Sequence, residues 1–470
     1  MNRPDLPVVV AGLGALGSAA AWRLAERGVA VVGLDRYRPP HTLGSTHGAG
    51  RVIREGFFEA PFYVPLVRRA YEGWARLEEL AVDGGGEPAS LLRTTGALMV
   101  GDPEGTLVRG TLEAVRAHGI GHRVLTAAEI AGGAGAEATG APSIPPGLRP
   151  EPHMVGVLEE RAGVLHPERC VRAALRAAER LGADLRFETP LEGWEVRDDG
   201  VVVRAGGEEI RASALVLACG PWMTAVTAAS GALPVHPREA RPSEPGDAPG
   251  SPSLPLEVVR QVTHRFAPAP GTTGPAGSGS GAAAPGSSTP RAGAGHPAFR
   301  LVTIWEYAPD RFFYTVPEEG PGPGTAALKA AIHYGGAPVD PDTVDREVSR
   351  EEVEEARALL DRFLPGTAGE WLESSVCLYT NTPDHHFVVG AVPGGQSEVG
   401  GGSGAGAGAG APERSSPARV IVLGGGSGHA FKFAPALGEL AAELVLGEKP
   451  FMDLAPFRPG RFLSGRDPVG

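Results

Sequence analysis

The chain of 470 residues carries 43 basic against 55 acidic side chains, a formal net charge of −12. A net-acidic surface repels phosphate backbones, which argues against nucleic acid as a partner. The three cysteines, Cys170, Cys219 and Cys377, show no CxxC or Cys/His spacing, so neither a disulfide framework nor a metal site is expected.

From the N-terminus, Val8–Ala11 reads as a short apolar strand. Ala15–Arg27 reads as a helix with Trp22 and Leu24 inward, and Val29–Leu34 as a second strand. Helical periodicity returns over Pro61–Leu80 and Pro167–Leu181. Strand patterns occur at Leu185–Phe187, Trp194–Arg197, Val201–Arg204 and Leu215–Ala218, then in a different region at Phe312–Val316 and Leu328–His333. Arg419–Leu423 and Phe433–Leu446 read as a last strand and helix. Two stretches, 267–297 and 394–417, are almost wholly Gly, Ala, Ser, Pro and Thr and cannot bury enough apolar surface to offset ordering. Both are expected to be disordered insertions, and the Pro-rich 238–256 to be a loop. No charged-then-apolar leader and no apolar run of about 20 residues is seen, so a cytoplasmic location off the membrane is the expectation.

The pattern predicts an α/β protein with a Rossmann-type dinucleotide-binding domain and a second, mixed-sheet substrate domain. The first is discontinuous, from 1–90, 151–225 and 370–455; the second takes 91–150 and 226–369. The sharpest local signal is Gly12-Leu13-Gly14-Ala15-Leu16-Gly17, a GxGxxG turn between strand and helix. Gly12 permits the tight turn, Gly14 lets backbone approach a pyrophosphate, and Gly17 lets helix and strand pack closely. The helix N-terminus offers free N–H groups to the phosphates. Asp35, ending the second strand, is placed to accept from ribose hydroxyls. This fingerprint does not choose between NAD and FAD. The turn-forming loop from Pro39 to Gly48, with Ser45 in it, and the strand ending at Gly220 point toward a flavin dinucleotide.

Four motifs in order carry a resemblance. They are the Gly12–Asp35 fingerprint, the run from Pro39-Pro40-His41-Thr42 through His47-Gly48-Ala49-Gly50-Arg51-Val52-Ile53-Arg54, Val376-Cys377-Leu378-Tyr379-Thr380, and Gly426-Ser427-Gly428-His429-Ala430-Phe431-Lys432-Phe433. Together they resemble the monomeric sarcosine oxidase and N-methyltryptophan oxidase family, flavoproteins related to D-amino acid oxidase. The resemblance covers essentially all of the chain outside the low-complexity stretches. It implies FAD attached covalently through Cys377, with Arg54 and Lys432 holding a substrate carboxylate. It also implies Lys329 as the oxygen-activating cation, His333 as the active-site histidine, His47 and Arg51 along the flavin, and Tyr314 in the substrate site.

The reaction so implied is oxidation of a secondary amine, an N-methyl or cyclic amino acid, by O2 in a monomer whose partners are a small amine and O2. A tailoring oxidase or dehydrogenase acting on a larger amine metabolite is the alternative. A non-catalytic flavin-binding scaffold is the rival from another class, and the joint presence of Lys329, His333, Arg54 and Lys432 argues against it. The sequence departs from the family at Ala49, Gly50, Gly425 and Ala430, and Gly425 is read as a sign of a wider substrate pocket.

Overall fold

The structure, a computed structural model, describes residues 6–83, 90–133, 144, 146–229, 254–270, 297–319, 325–392 and 418–462. Residues 271–296 and 393–417, the bulk of the two expected insertions, and most of 238–256 lie outside the described residues.

A six-stranded sheet is gathered from across the chain, in the order Val388–Ala391, Val420–Gly424, Ala214–Leu217, Val8–Ala11, Val31–Leu34, Asp184–Arg186. All its neighbours pair in parallel except the edge strand Val388–Ala391. Val8–Ala11 is buried throughout, as a central parallel strand covered on both faces requires. Side chains alternate between those faces. Val8 and Val10 meet one apolar cluster with Trp22 and Leu24 of the Ala15–Glu26 helix, while Val9 and Ala11 meet another with Trp194, Val201 and Val203. Helices Ala15–Glu26, Tyr63–Asp83, Pro167–Arg180 and Ala434–Leu446 cover the first face. A three-stranded antiparallel sheet, Leu191–Arg197, Gly200–Ala205 and Glu208–Ala212, covers the second.

An eight-stranded sheet runs Trp371–Asn381, Glu257–Phe266, Ala326–His333, Arg311–Glu319, Val302–Ala308, Ala97–Gly101, Val155–Glu159, Arg123–Thr126. Every pairing in it is antiparallel except Val302–Ala308 with Ala97–Gly101. The Arg350–Phe363 helix, opened by a Ser349–Glu352 capping box, packs Leu360 and Phe363 against Phe266, Trp305, Phe313 and Leu328 on one face. By strand alternation Tyr314 and Lys329 point to the opposite face, toward the first sheet. Two spans sit differently from the division that the sequence pattern predicts. Val155–Glu159 and Trp371–Asn381, expected in the nucleotide-binding part, hydrogen-bond into the eight-stranded sheet. Partners distant in sequence decide which sheet receives them.

Candidate active site

The glycine turn lies where the central strand meets its helix. Gly12 has φ +87°, and a Cβ on it would sit 2.5 Å from the Ala218 carbonyl oxygen. A Cβ on Gly17 would sit 1.6 Å from the Gly12 carbonyl oxygen, so helix and turn touch only because both positions are glycine. Asp35 is buried and braces the turn: one carboxylate oxygen accepts from Leu13 N and the other from Tyr37 N, both at 2.7 Å. Burial pushes its carboxyl up from the usual range, against those two hydrogen bonds.

A cavity of about 640 Å³ opens from this turn. Gly12, Gly14, Asp35, Ser45, Gly220 and Cys377 all line it. Gly17 is not among its lining; its role is the close packing beneath the turn. The lining fits a dinucleotide: a helix N-terminal end for phosphates, a buried acid for ribose, and a cysteine. Sequence reasoning missed Thr46, His41, Arg36 and Trp222, which also line it. They come from loops after the strand ends, where no periodicity marks an inward residue.

Cys377 sits on the Trp371–Asn381 strand with its sulfur 3.8 Å from His47 Nε2 and 4.0 Å from Arg51 Nη2. Burial by itself would push the thiol up. The His47 hydrogen bond and the charges of Arg51, His47 and Lys329 outweigh it and bring the thiol down to about 6. A thiolate at neutral pH is the nucleophilic form of the side chain. Arg51 is fixed by carbonyls, donating to Ser45 O at 3.2 Å, to Gly50 O at 3.0 Å and to His47 O.

Lys329 is buried and lines neither cavity; it lies behind the Gly48–Gly50 loop and donates to Gly48 O at 2.7 Å and Gly50 O at 3.0 Å. Burial and then Arg51 lower its ammonium to about 8, with Glu318 as the strongest opposing influence. The loop is held from outside by Glu168, whose carboxylate accepts from Gly48 N at 2.8 Å.

A second cavity, of about 80 Å³, adjoins the first. Arg51, Arg54, Tyr314, His333 and Lys432 line it, so five of the expected site residues converge there. Arg54 and Lys432 are both buried, with their cationic heads 4.7 and 4.9 Å from the Phe57 ring centroid. Arg54 pairs with Glu59 at 3.2 Å and donates to Gly56 O. Lys432 Nζ donates to His429 O at 2.9 Å. Burial and the Arg54 charge lower the Lys432 ammonium to about 7, against Glu59. His333 is lowered to about 3, first by burial, so its imidazole is neutral; Nδ1 lies 3.1 Å from the Tyr379 hydroxyl. Glu59, Phe58 and His429 were not legible beforehand, because nothing in their spacing separates them from surface or core residues. Gly425 lines the large cavity, and a Cβ there would meet Thr382, Val388 and Leu256.

The chain matches the family described as "FAD dependent oxidoreductase" over residues 7–244 and 283–444. It belongs to that family. Within it the chain is 32% identical to the monomeric sarcosine oxidase of Streptomyces avermitilis, covering 98% of this chain and 99% of that one. It is 26% identical to the N-methyl-L-tryptophan oxidase of Salmonella heidelberg, covering 97% and 98%. Among solved structures, NikD, "an unusual amino acid oxidase essential for nikkomycin biosynthesis", superposes with a TM-score of 0.68 at 21% identity over 97% of both chains. L-Proline dehydrogenase from P. horikoshii superposes with the same TM-score of 0.68 at 19% identity, over 99% of this chain and 100% of that one. These two likenesses establish the fold. The family is FAD-dependent, and the cavity lined by Gly12 and Cys377 is the candidate site for that dinucleotide.

Proposed function

We propose that the protein oxidises a secondary amine, an N-methyl or cyclic amino acid, to an imine, with O2 as acceptor and H2O2 as the second product. The observation that carries this reading is that the two cavities share a wall: Arg51, Tyr314, Tyr379, Gly428 and Phe431 line both. A ligand in the small cavity thus abuts the end of the large one that holds Cys377. Bound FAD supplies two-electron redox chemistry.

Gly12, Gly14 and Asp35 would hold the nucleotide end of FAD, and Cys377 would attach the other end as a thioether. Arg54 supplies a planar fork and Lys432 a point charge for the substrate carboxylate. An anion beside Lys432 raises the affinity of its amine for a proton, so carboxylate binding near neutral pH takes up a proton there. Neutral His333 puts no positive charge beside the reacting amine. Tyr314 and Tyr379 close the wall between the cavities. Lys329 and Arg51 stabilise the negative charge that develops on oxygen as it is reduced. For an N-methyl substrate, hydrolysis of the imine gives an amine and formaldehyde.

Sarcosine, N-methyl aromatic amino acids, pipecolate and proline, each assayed for peroxide release, test the substrate class. If none releases peroxide while an artificial acceptor is reduced, a dehydrogenase takes the place of the oxidase. Acid precipitation tests the attachment: yellow colour should stay with the protein pellet and move to the supernatant in Cys377→Ala. Cys170, Cys219 and Cys377 are unpaired, which suits a reducing, cytoplasmic setting. A monomer is expected, and light scattering on the eluting protein measures it. The discontinuous division into a nucleotide-binding and a substrate domain belongs to the same proposal.

A further inference from the structure

The eight-stranded sheet places two cations face to face. Arg265 and Lys329 are direct partners across the antiparallel pair Glu257–Phe266 and Ala326–His333. Like charges directly opposite on one face repel. Arg51, at the start of the strand Arg51–Ile53, adds a third positive charge. Glu318 enters from the other side. Val316 is the Cα partner of Lys329, so Glu318, two residues on, shares its face as a diagonal neighbour at roughly 7 Å.

The Glu318 side chain is only 4% exposed, and its Oε2 lies 2.9 Å from Arg265 Nε. That contact is a buried ion pair, and Oε1 has no hydrogen-bond partner among the described residues. A buried carboxylate costs free energy unless cations or donors surround it. Its Oε1 reaches into the space beside Gly50, where a Cβ would come within 2.9 Å of it. Lys329 donates to the carbonyl of that same Gly50. The carboxylate therefore meets the ammonium's own anchoring loop only because position 50 has no side chain. Arg265 continues outward to Glu373 at 2.6 Å, whose side chain is 56% exposed.

We propose that Glu318 is a positioning residue for oxygen reduction: it is the counter-charge that keeps Lys329 protonated between Arg51 and Arg265. This rests on the reading of Lys329 as the oxygen-activating cation. The other charged groups facing Lys329 are Arg51, Glu168 at the start of the Pro167–Arg180 helix, and Cys377 from its strand. A Cys377 thioether removes the sulfur's charge, and Glu168 is already engaged by Gly48 N. Glu318 is then the principal anion left to Lys329. Arg265 competes for it.

The experiment measures the rate at which O2 reoxidises the reduced enzyme from about pH 6 to about pH 10 in the native protein, Glu318→Gln, Arg265→Gln and Lys329→Met. Loss of an anion beside a lysine lowers its pKa, and loss of a competing cation raises it. The midpoint of the falling limb should move down by about one pH unit in Glu318→Gln and up by roughly half a unit in Arg265→Gln. A residue that merely props the sheet gives no opposed pair of shifts. Should Glu318→Gln fail to fold, Glu318→Asp, which draws the charge back from Lys329, takes its place and should move the midpoint down by a smaller amount. Unmoved midpoints, or shifts of the same sign, overturn the role of Glu318 while Lys329→Met still loses the limb. If Lys329→Met keeps both the native rate and the native limb, the reading of Lys329 falls instead.

Discussion

Two buried lysines belong to the candidate site, and their surroundings differ. Lys329 is tied by two carbonyls, at 2.7 and 3.0 Å, and has Glu318 and Glu168 as nearby anions. Lys432 has one carbonyl partner, at 2.9 Å, and lies beside Arg54 over an aromatic ring, with Glu59 as its opposing anion. The first region is complete in itself: its cation is anchored and offset by charge without any ligand. The second sets two cations, Arg54 and Lys432, against the single carboxylate of Glu59. On the proposed reading, this difference assigns Lys432 and Arg54 to an incoming anionic substrate and Lys329 to charge that appears only during turnover.

The largest expected effect breaks the first region. Lys329→Met should slow reoxidation by O2 by about 10²- to 10³-fold, measured by stopped flow, while anaerobic reduction by substrate changes far less. Equal losses in both steps would contradict the division of labour. Next, Arg54→Met breaks the second region. KM for a carboxylate-bearing amine should rise by about 100-fold, with a much smaller effect on the corresponding amide.

A smaller effect sharpens the contrast through pH. A lysine is charged below its pKa and loses its charge as pH rises through it. Lys432, at about 7, should discharge before Lys329, at about 8. KM should therefore climb roughly three- to tenfold between about pH 7 and about pH 8.5, and the oxygen step should weaken only at higher pH. Steady-state profiles at saturating and limiting substrate separate the two. The smallest effect concerns the shared wall. Tyr379→Phe removes the 3.1 Å contact with His333 Nδ1, and a loss of about 1 kcal/mol, or about fivefold in kcat, is expected.

The nucleotide-binding half was legible because its determinants are local. Gly12, Gly14, Gly17 and Asp35 lie in one strand–turn–helix–strand unit, and each type is demanded by a steric or hydrogen-bond requirement within it. Lys329, His333, Arg54 and Lys432 were legible only through resemblance, since an isolated Lys or Arg on a strand or turn otherwise reads as a solvated surface charge. Glu318, Glu59 and Glu168 escaped altogether. Their parts depend on strand register and on loops meeting across the molecule, and the Arg265–Lys329 pairing spans a low-complexity stretch that carries no register information. The strands Val155–Glu159 and Trp371–Asn381 show the same limit, because their pairing partners lie far away in sequence.

The six-stranded sheet has a consequence for biogenesis. Its neighbouring strands Ala214–Leu217 and Val420–Gly424 are separated by almost half the chain, and the first strand of the polypeptide lies next to the former. Non-local pairing of this kind is slow to form, because long loops must close before any contact rewards them. A ribosome must deliver the chain through Gly424 before the wall containing Leu423 and Gly424 can close on the glycine turn. Completion of that cavity therefore waits for the strand Val420–Gly424, and nascent chains short of it expose an unpaired sheet edge that chaperones would have to shield.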